Sequence, residues 1–268
     1  MWYFNLAFTR LFDALVWPFR VWPAGGLLFV SVVAGVAMLL IFKVTSNQRA
    51  IRRTRDLIRA HMLAMRLFRD DAAVVVESQK KVLRTNLTYL RYAVVPIVFI
   101  LPVVVLIMVQ LNLRYGPAPA RPGEAVVVKA VFEGALDEGA TLAASPEVAV
   151  ETPALRIPYE READWRVRPL EAGTFELVLK SRGKDWGKKL VVGPPAVGRV
   201  SSRRVSGVWA QLMNPGERPL SSNLKAIEVK YPSRENKILG LRVHWIITFF
   251  VVSLVAAFAL KGVFRTEV

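Results

Sequence analysis

Three apolar blocks without a lysine, arginine, aspartate or glutamate limit what this chain can fold into more than any other feature. They cover residues 25–42, 93–111 and 243–260. At about 1.5 Å per residue, a helix of about 18–19 residues spans roughly 27–29 Å, close to the ~30 Å hydrocarbon thickness of a bilayer. Core helices of soluble proteins rarely run this long without a charge. The sequence therefore predicts three spans, at 24–43, 92–112 and 242–260. The first reads as a retained span. It is too long and starts too late for a signal peptide, and it ends at Lys43 and a basic run in the manner of a stop-transfer.

The charge of the intervening segments sets the orientation. The net charge is +16, and between Lys43 and Arg91 twelve basic residues face four acidic ones. A short basic loop flanking two spans stays on the cytoplasmic side. Residues 44–91 are thus expected in the cytoplasm, the amino terminus and 113–241 outside, and the tail 261–268, with Lys261 and Arg265, inside. This places the chain in a plasma membrane, of the bacterial inner-membrane kind. Such charge first implies contact with anionic lipid headgroups, and no DNA partner is expected.

Segment 44–91 reads as a helical hairpin. Ile51, Thr54, Ile58, His61, Met65 and Phe68 form a heptad seam on the way out, and Val76, Gln79, Leu83, Asn86 and Leu90 a similar coiled-coil seam on the return. The run Arg69-Asp70-Asp71 is the expected corner, with Asp70 or Asp71 capping the second helix. No glycine or proline falls between Lys43 and Val95, so one kinked helix is the alternative. Arg49, Arg52, Arg53, Arg55 and Arg59 sit mainly outside the seam. They form either a headgroup-binding face or a docking surface for a ribosome, RNA or an acidic nascent chain. The span that follows carries Pro96 and Pro102, each of which removes a helical hydrogen bond. Gln110 and Asn112 at its outer end either mark the interface or line a polar recess.

Residues 1–23 repeat aromatics and leucines at helical spacing (Phe4, Phe8, Leu11, Phe12, Leu15), with Arg10 and Asp13 as polar points, and close on Trp17, Pro18, Trp22 and Pro23. That pattern fits an amphipathic helix in the membrane interface or a helix packed on neighbouring elements. Segment 113–241 begins with a Pro/Gly-rich lead and continues as short alternating runs: VVVKAVF, TLAAS, EVAV, DWRVRPL, TFELVLKS and KKLVVG. Short strands with frequent turns predict a small all-β, Ig-like sandwich over about 122–195. Trp165 and Trp186 are core or edge candidates, and Leu224–Lys230 is a candidate extra strand.

Several chemistries have no carrier in this sequence. It contains no cysteine and two histidines, His61 and His244. Phosphate-loop, dinucleotide-binding, zinc-protease and serine-hydrolase motifs are missing, and the blocks hold no acid or base for a proton relay. No catalytic residue, metal ligand or cofactor is assigned, and the chain is not expected to be an enzyme.

The basic hairpin 49–91 and its direct passage into RYAVVPIVFILPVVVLIMVQL, after one span and before a third, resemble the Oxa/YidC superfamily of membrane-protein insertases. The likeness is greatest to its compact three-span members in archaea and the endoplasmic reticulum. It covers 25–112 and 243–260. It implies a shallow groove among the spans that receives a nascent hydrophobic segment, while the hairpin meets the ribosome or nascent chain. Two departures stand out. Block 25–42 has no basic residue, so the groove's only polar candidates are Ser31, Gln110, Asn112, Thr248 and Ser253. The compact members also lack a β-sandwich between the second and third spans. The other reading is a structural accessory subunit of a cell-envelope complex, binding partners through the outer β-domain and the hairpin.

Overall fold

A computed structural model describes residues 2–68, 70–194, 198–221, 224–238 and 241–264. Arg69 of the expected corner and Arg265 of the tail lie outside the described residues. The chain divides into two compact units, Met1–Leu28 with Met108–Thr248, and Phe29–Ile107 with Phe249–Val268.

The helices follow the apolar pattern closely. Helix α1 (Trp2–Val16) is followed by a 3₁₀ turn, then α2 (Pro23–Thr45), α3 (Gln48–Leu67) and α4 (Ala72–Tyr115). Asn47 caps α3, its side chain accepting from the Ala50 N–H at 3.0 Å. Asp71 caps α4 by accepting from the N–H groups of Ala73 (3.0 Å) and Val74 (3.2 Å). These caps satisfy amide groups that a helix start leaves unpaired, and they make breaks where no glycine or proline stands. The single kinked helix is therefore not formed. Helix α4 runs 44 residues, unbroken through Pro96 and Pro102.

Helices α2 and α4 are long and apolar enough to cross a membrane. The third apolar block forms a shorter helix than expected, α6 (Trp245–Leu260), of 16 residues. At 1.5 Å per residue it reaches about 24 Å. Its first two expected residues are taken up in the entry turn. The Val243 N–H bonds to Asn236 O at 3.0 Å, and the His244 ring Nδ1 accepts from the Ile246 N–H at 3.3 Å.

In the second unit, α2 and α6 touch closely. A Cβ added at Gly35 would stand 2.4 Å from the Ser253 carbonyl oxygen. Small residues allow such backbone approach between apolar helices. The seam expected on α3 matches the less exposed side, with Ile51 and Thr54 buried and Ile58, His61 and Met65 half-buried; Phe68, beyond the helix end, is exposed. On α4 the register is one residue off. Val75, Ser78, Val82, Thr85 and Tyr89 form the less exposed row, while Val76, Gln79, Leu83, Asn86 and Leu90 are exposed.

In the first unit the chain from Val126 builds two antiparallel sheets around one core. Strands β1 (Val126–Phe132), β3 (Val148–Val150), β5 (Glu162–Pro169), β8 (Arg203–Val205) and β9 (Leu224–Val229) pair in the order β3-β5-β1-β9-β8, with β4 (Leu155–Ile157) also on β5. Strands β2 (Thr141–Ala144), β6 (Gly173–Ser181) and β7 (Lys184–Val192) form the second sheet in the order β2-β6-β7. Alternation decides which side chains turn inward. Val128, Ala130, Trp165 and Val167 from one sheet meet Leu177, Leu179, Trp186 and Leu190 from the other in a single cluster. Both tryptophans are core residues. The domain is larger than 122–195, because Leu224, Ile227 and Val229 of β9 complete that core. The β6–β7 hairpin turns on Arg182 and Gly183, both with positive φ (48° and 70°), as a two-residue turn of this twist requires. A short helix, α5 (Val208–Met213), and a small hairpin, β10 (Lys237–Ile238) with β11 (Leu241–Arg242), complete the unit.

Candidate functional site

The expected basic face is present on α3. Arg49, Arg52, Arg53 and Arg59 are exposed and Arg55 is half-buried. Arg49, Arg52 and Arg53 surround a shallow, open depression with Asp56 and Leu57. One carboxylate against three guanidiniums leaves a cationic surface, suited to any anionic partner and specific to none.

The five polar candidates for a groove are divided between the two units. In the second unit Ser31 and Ser253 are both buried. The Ser253 hydroxyl donates to Phe250 O in its own helix at 3.1 Å, which satisfies it locally. That unit does contain a groove of about 340 Å³, walled by Met38, Leu39 and Phe42 of α2, Ile100 of α4, and Phe250 and Phe258 of α6. Ser253 is its sole polar lining residue, so the groove is an apolar slot.

In the first unit Thr248 is buried, Asn112 is exposed, and Gln110 belongs to a cluster that the sequence reading did not assemble. Helix α1 buries Asn5, Thr9, Phe12 and Val16 on one helical face, while Arg10 is exposed. Tyr3, Phe4 and Leu11 lie on the exposed side. Gln110 Nε2 donates to Thr9 Oγ1 at 3.0 Å. One turn on, Arg114 is 2% exposed and fully engaged. Its Nη1 donates to Gln110 Oε1 and Gln110 O, both at 2.9 Å. Its Nη2 donates to Thr9 O at 3.0 Å and pairs with Asp13 Oδ1 at 2.6 Å. Asn5 Nδ2 extends the network by donating to Gln211 O of α5 at 2.9 Å. A buried charge is tolerated only when paired and hydrogen-bonded, and here each condition is met.

The same end of α4 is tied into the β-domain through its backbone. Val200 N–H donates to Leu113 O at 2.9 Å, and Arg234 N–H to Gly116 O at 2.9 Å. Asn236 Nδ2 donates to Tyr115 O at 3.3 Å. The last turn of the helix is thus a bonded part of the first unit. Two signals for the cluster were available in the sequence: Asn5, Thr9 and Asp13 at four-residue spacing, and Gln110 with Arg114 at the same spacing.

The β-domain holds a second buried ion pair. Lys188 on β7 is 1% exposed and pairs with Glu217, and its Nζ also donates to Ser201 O at 2.7 Å. Burial pushes the Lys188 ammonium below its ordinary range, opposed by the attraction of Glu217. Among the described residues no group of three histidine or acidic side chains is placed to hold a metal. Comparison with known proteins finds no matching family model, no match among curated proteins and no match among solved structures.

Proposed function

We propose that this chain is a non-catalytic accessory subunit of a cell-envelope membrane complex. In this reading three helices cross the membrane, α6 as a short span, and the β-domain stands outside while α3 and the start of α4 lie in the cytoplasm. The observation that carries it is the buried Arg114 network. A charged cluster with several long-range bonds binds the end of α4, helix α1 and the β-domain segments into one unit. Held in this way, the unit presents one fixed surface to a partner, which lowers the ordering cost of binding. Exposed apolar side chains in both units support partner binding. Tyr159 is 97% exposed beside β4, and Leu83 (66% exposed), Leu87 and Leu90 line an uncovered side of α4.

The insertase reading calls for a polar groove that lowers the cost of moving polar flanks through lipid. The apolar slot does not offer that, so we place this reading second, supported by the exposed Arg49–Arg59 face alone. Photocrosslinking residues at Tyr159 and at Leu83 separate the two. The accessory reading expects one discrete partner adduct from each position. A ladder of nascent-chain adducts from Leu83 would favour insertion, and no adduct from either position would count against the proposal.

A further inference from the structure

The Arg114 network borders a pocket whose charge it does not neutralise. Asp13, Trp17, Arg20, Arg114 and Arg199 wall a space of about 170 Å³ within the first unit. Its lining holds three guanidiniums and one carboxylate. Both terminal nitrogens of Arg114 are engaged by Gln110, Thr9 and Asp13. Arg199 reaches Asp13 only at 3.6 Å, with nearly half of its side chain exposed. The Arg20 guanidinium has no carboxylate partner among the described residues. The pocket therefore presents two guanidinium edges with donors to spare, over a third that is buried and cannot turn away. Planar guanidiniums match the paired oxygens of phosphate. The space is several times the roughly 30 Å³ that a water occupies in the liquid, enough for a phosphate group.

The rim adds a second preference. Trp17 lines the pocket and is largely exposed, and Val21 and Trp22 follow it, also exposed. Tryptophans that present an apolar body beside a polar anchor are the pattern of headgroup depth. We propose that this pocket binds a phosphate group, seated between Arg20 and Arg199 above Arg114 and Asp13, with the Trp17–Trp22 ledge against the remainder of the ligand. The phosphate has two sources, a phospholipid headgroup or a free anion. The lipid source rests on the membrane reading above, and the anion chemistry does not.

The test uses the purified full chain in non-ionic detergent, titrated separately with dihexanoyl phosphatidylglycerol and with inorganic phosphate, read by tryptophan fluorescence and calorimetry. The expected result is saturable binding that weakens about tenfold or more in the Arg20→Gln/Arg199→Gln variant, the equivalent of one lost charge-assisted contact. Both side chains are largely solvated, so the variant should keep its melting temperature. An Arg49→Gln/Arg52→Gln variant should bind as the wild type does. Binding of the lipid alone assigns the headgroup source, and comparable binding of both probes assigns the free anion. No saturable binding of either probe, or equal loss in the two variants, overturns the proposal. Neither outcome alters the partner adducts at Tyr159 and Leu83, so the two proposals fail separately.

Discussion

Lys188 and Glu217 show how much a single residue governs in the β-domain. Lys188→Met would leave the Glu217 carboxylate buried without its cation, at a cost of about 3–5 kcal/mol. Replacing both, as Lys188→Met/Glu217→Met, should recover most of that loss, since apolar replacement of a buried pair is often neutral. Denaturant unfolding followed by tryptophan fluorescence measures both, and equal losses in the single and double variants would contradict the buried-pair account. Asp137 gives a pH prediction. The Ser181 hydroxyl does most to hold its carboxyl below the ordinary 3.8, partial burial opposes this, and the Gly139 and Arg182 N–H groups add to it. A folded pKa below the unfolded one stabilises the fold above about pH 3.8 and loses that contribution as pH falls through the lower folded value. Asp137→Asn should therefore flatten the acid limb of stability below pH 3.8, read as the unfolding midpoint against pH. At this scale the sequence left Trp165 and Trp186 as core or edge candidates, and packing of the two sheets puts both in the core. The Arg114 network was not assembled in advance. An arginine just past an apolar block reads as an interface marker until α1 is known to turn Thr9 and Asp13 toward it.

Among the elements, the contact of α2 with α6 depends on Gly35. A side chain there meets the Ser253 backbone, which cannot rotate away as a side chain does. Alanine is the better helix former by about 1 kcal/mol, yet Gly35→Ala should lower stability, and Gly35→Val should lower it by about 1–3 kcal/mol as overpacking does. Thermal unfolding in detergent reads the sign, and a stabilised Gly35→Ala would show that the helices can separate without cost. Helix positions and strands were largely readable from apolar periodicity, including β9 at its expected place. The register of α4 was not. Both heptad rows on that helix carry apolar residues, Val75 and Val82 on one and Val76, Leu83 and Leu90 on the other. Sequence spacing alone cannot rank two adjacent rows, and it is packing that buries the first and leaves the second exposed. The span of α6 was overestimated for a related reason, since hydropathy does not register that Val243 and His244 are engaged in the turn before the helix.

At the scale of the whole molecule, the proposed function has the β-domain outside the membrane and the basic, partly apolar surface of α3 and α4 in the cytoplasm. Those sides are proposed from the charge distribution, because short positive loops remain cytoplasmic. The bonding of α1, the end of α4 and the β-domain through Arg114, and the slot's apolar lining, favour holding a partner over moving a polar chain. The chain has no cysteine, so a single introduced thiol reports its own location. The decisive measurement is labelling of Tyr159→Cys and Gln79→Cys, both exposed positions, with a membrane-impermeant thiol reagent in intact cells. The account predicts that Tyr159→Cys is labelled from outside and Gln79→Cys only after permeabilisation. Labelling of both in intact cells, or the reverse pattern, would contradict it.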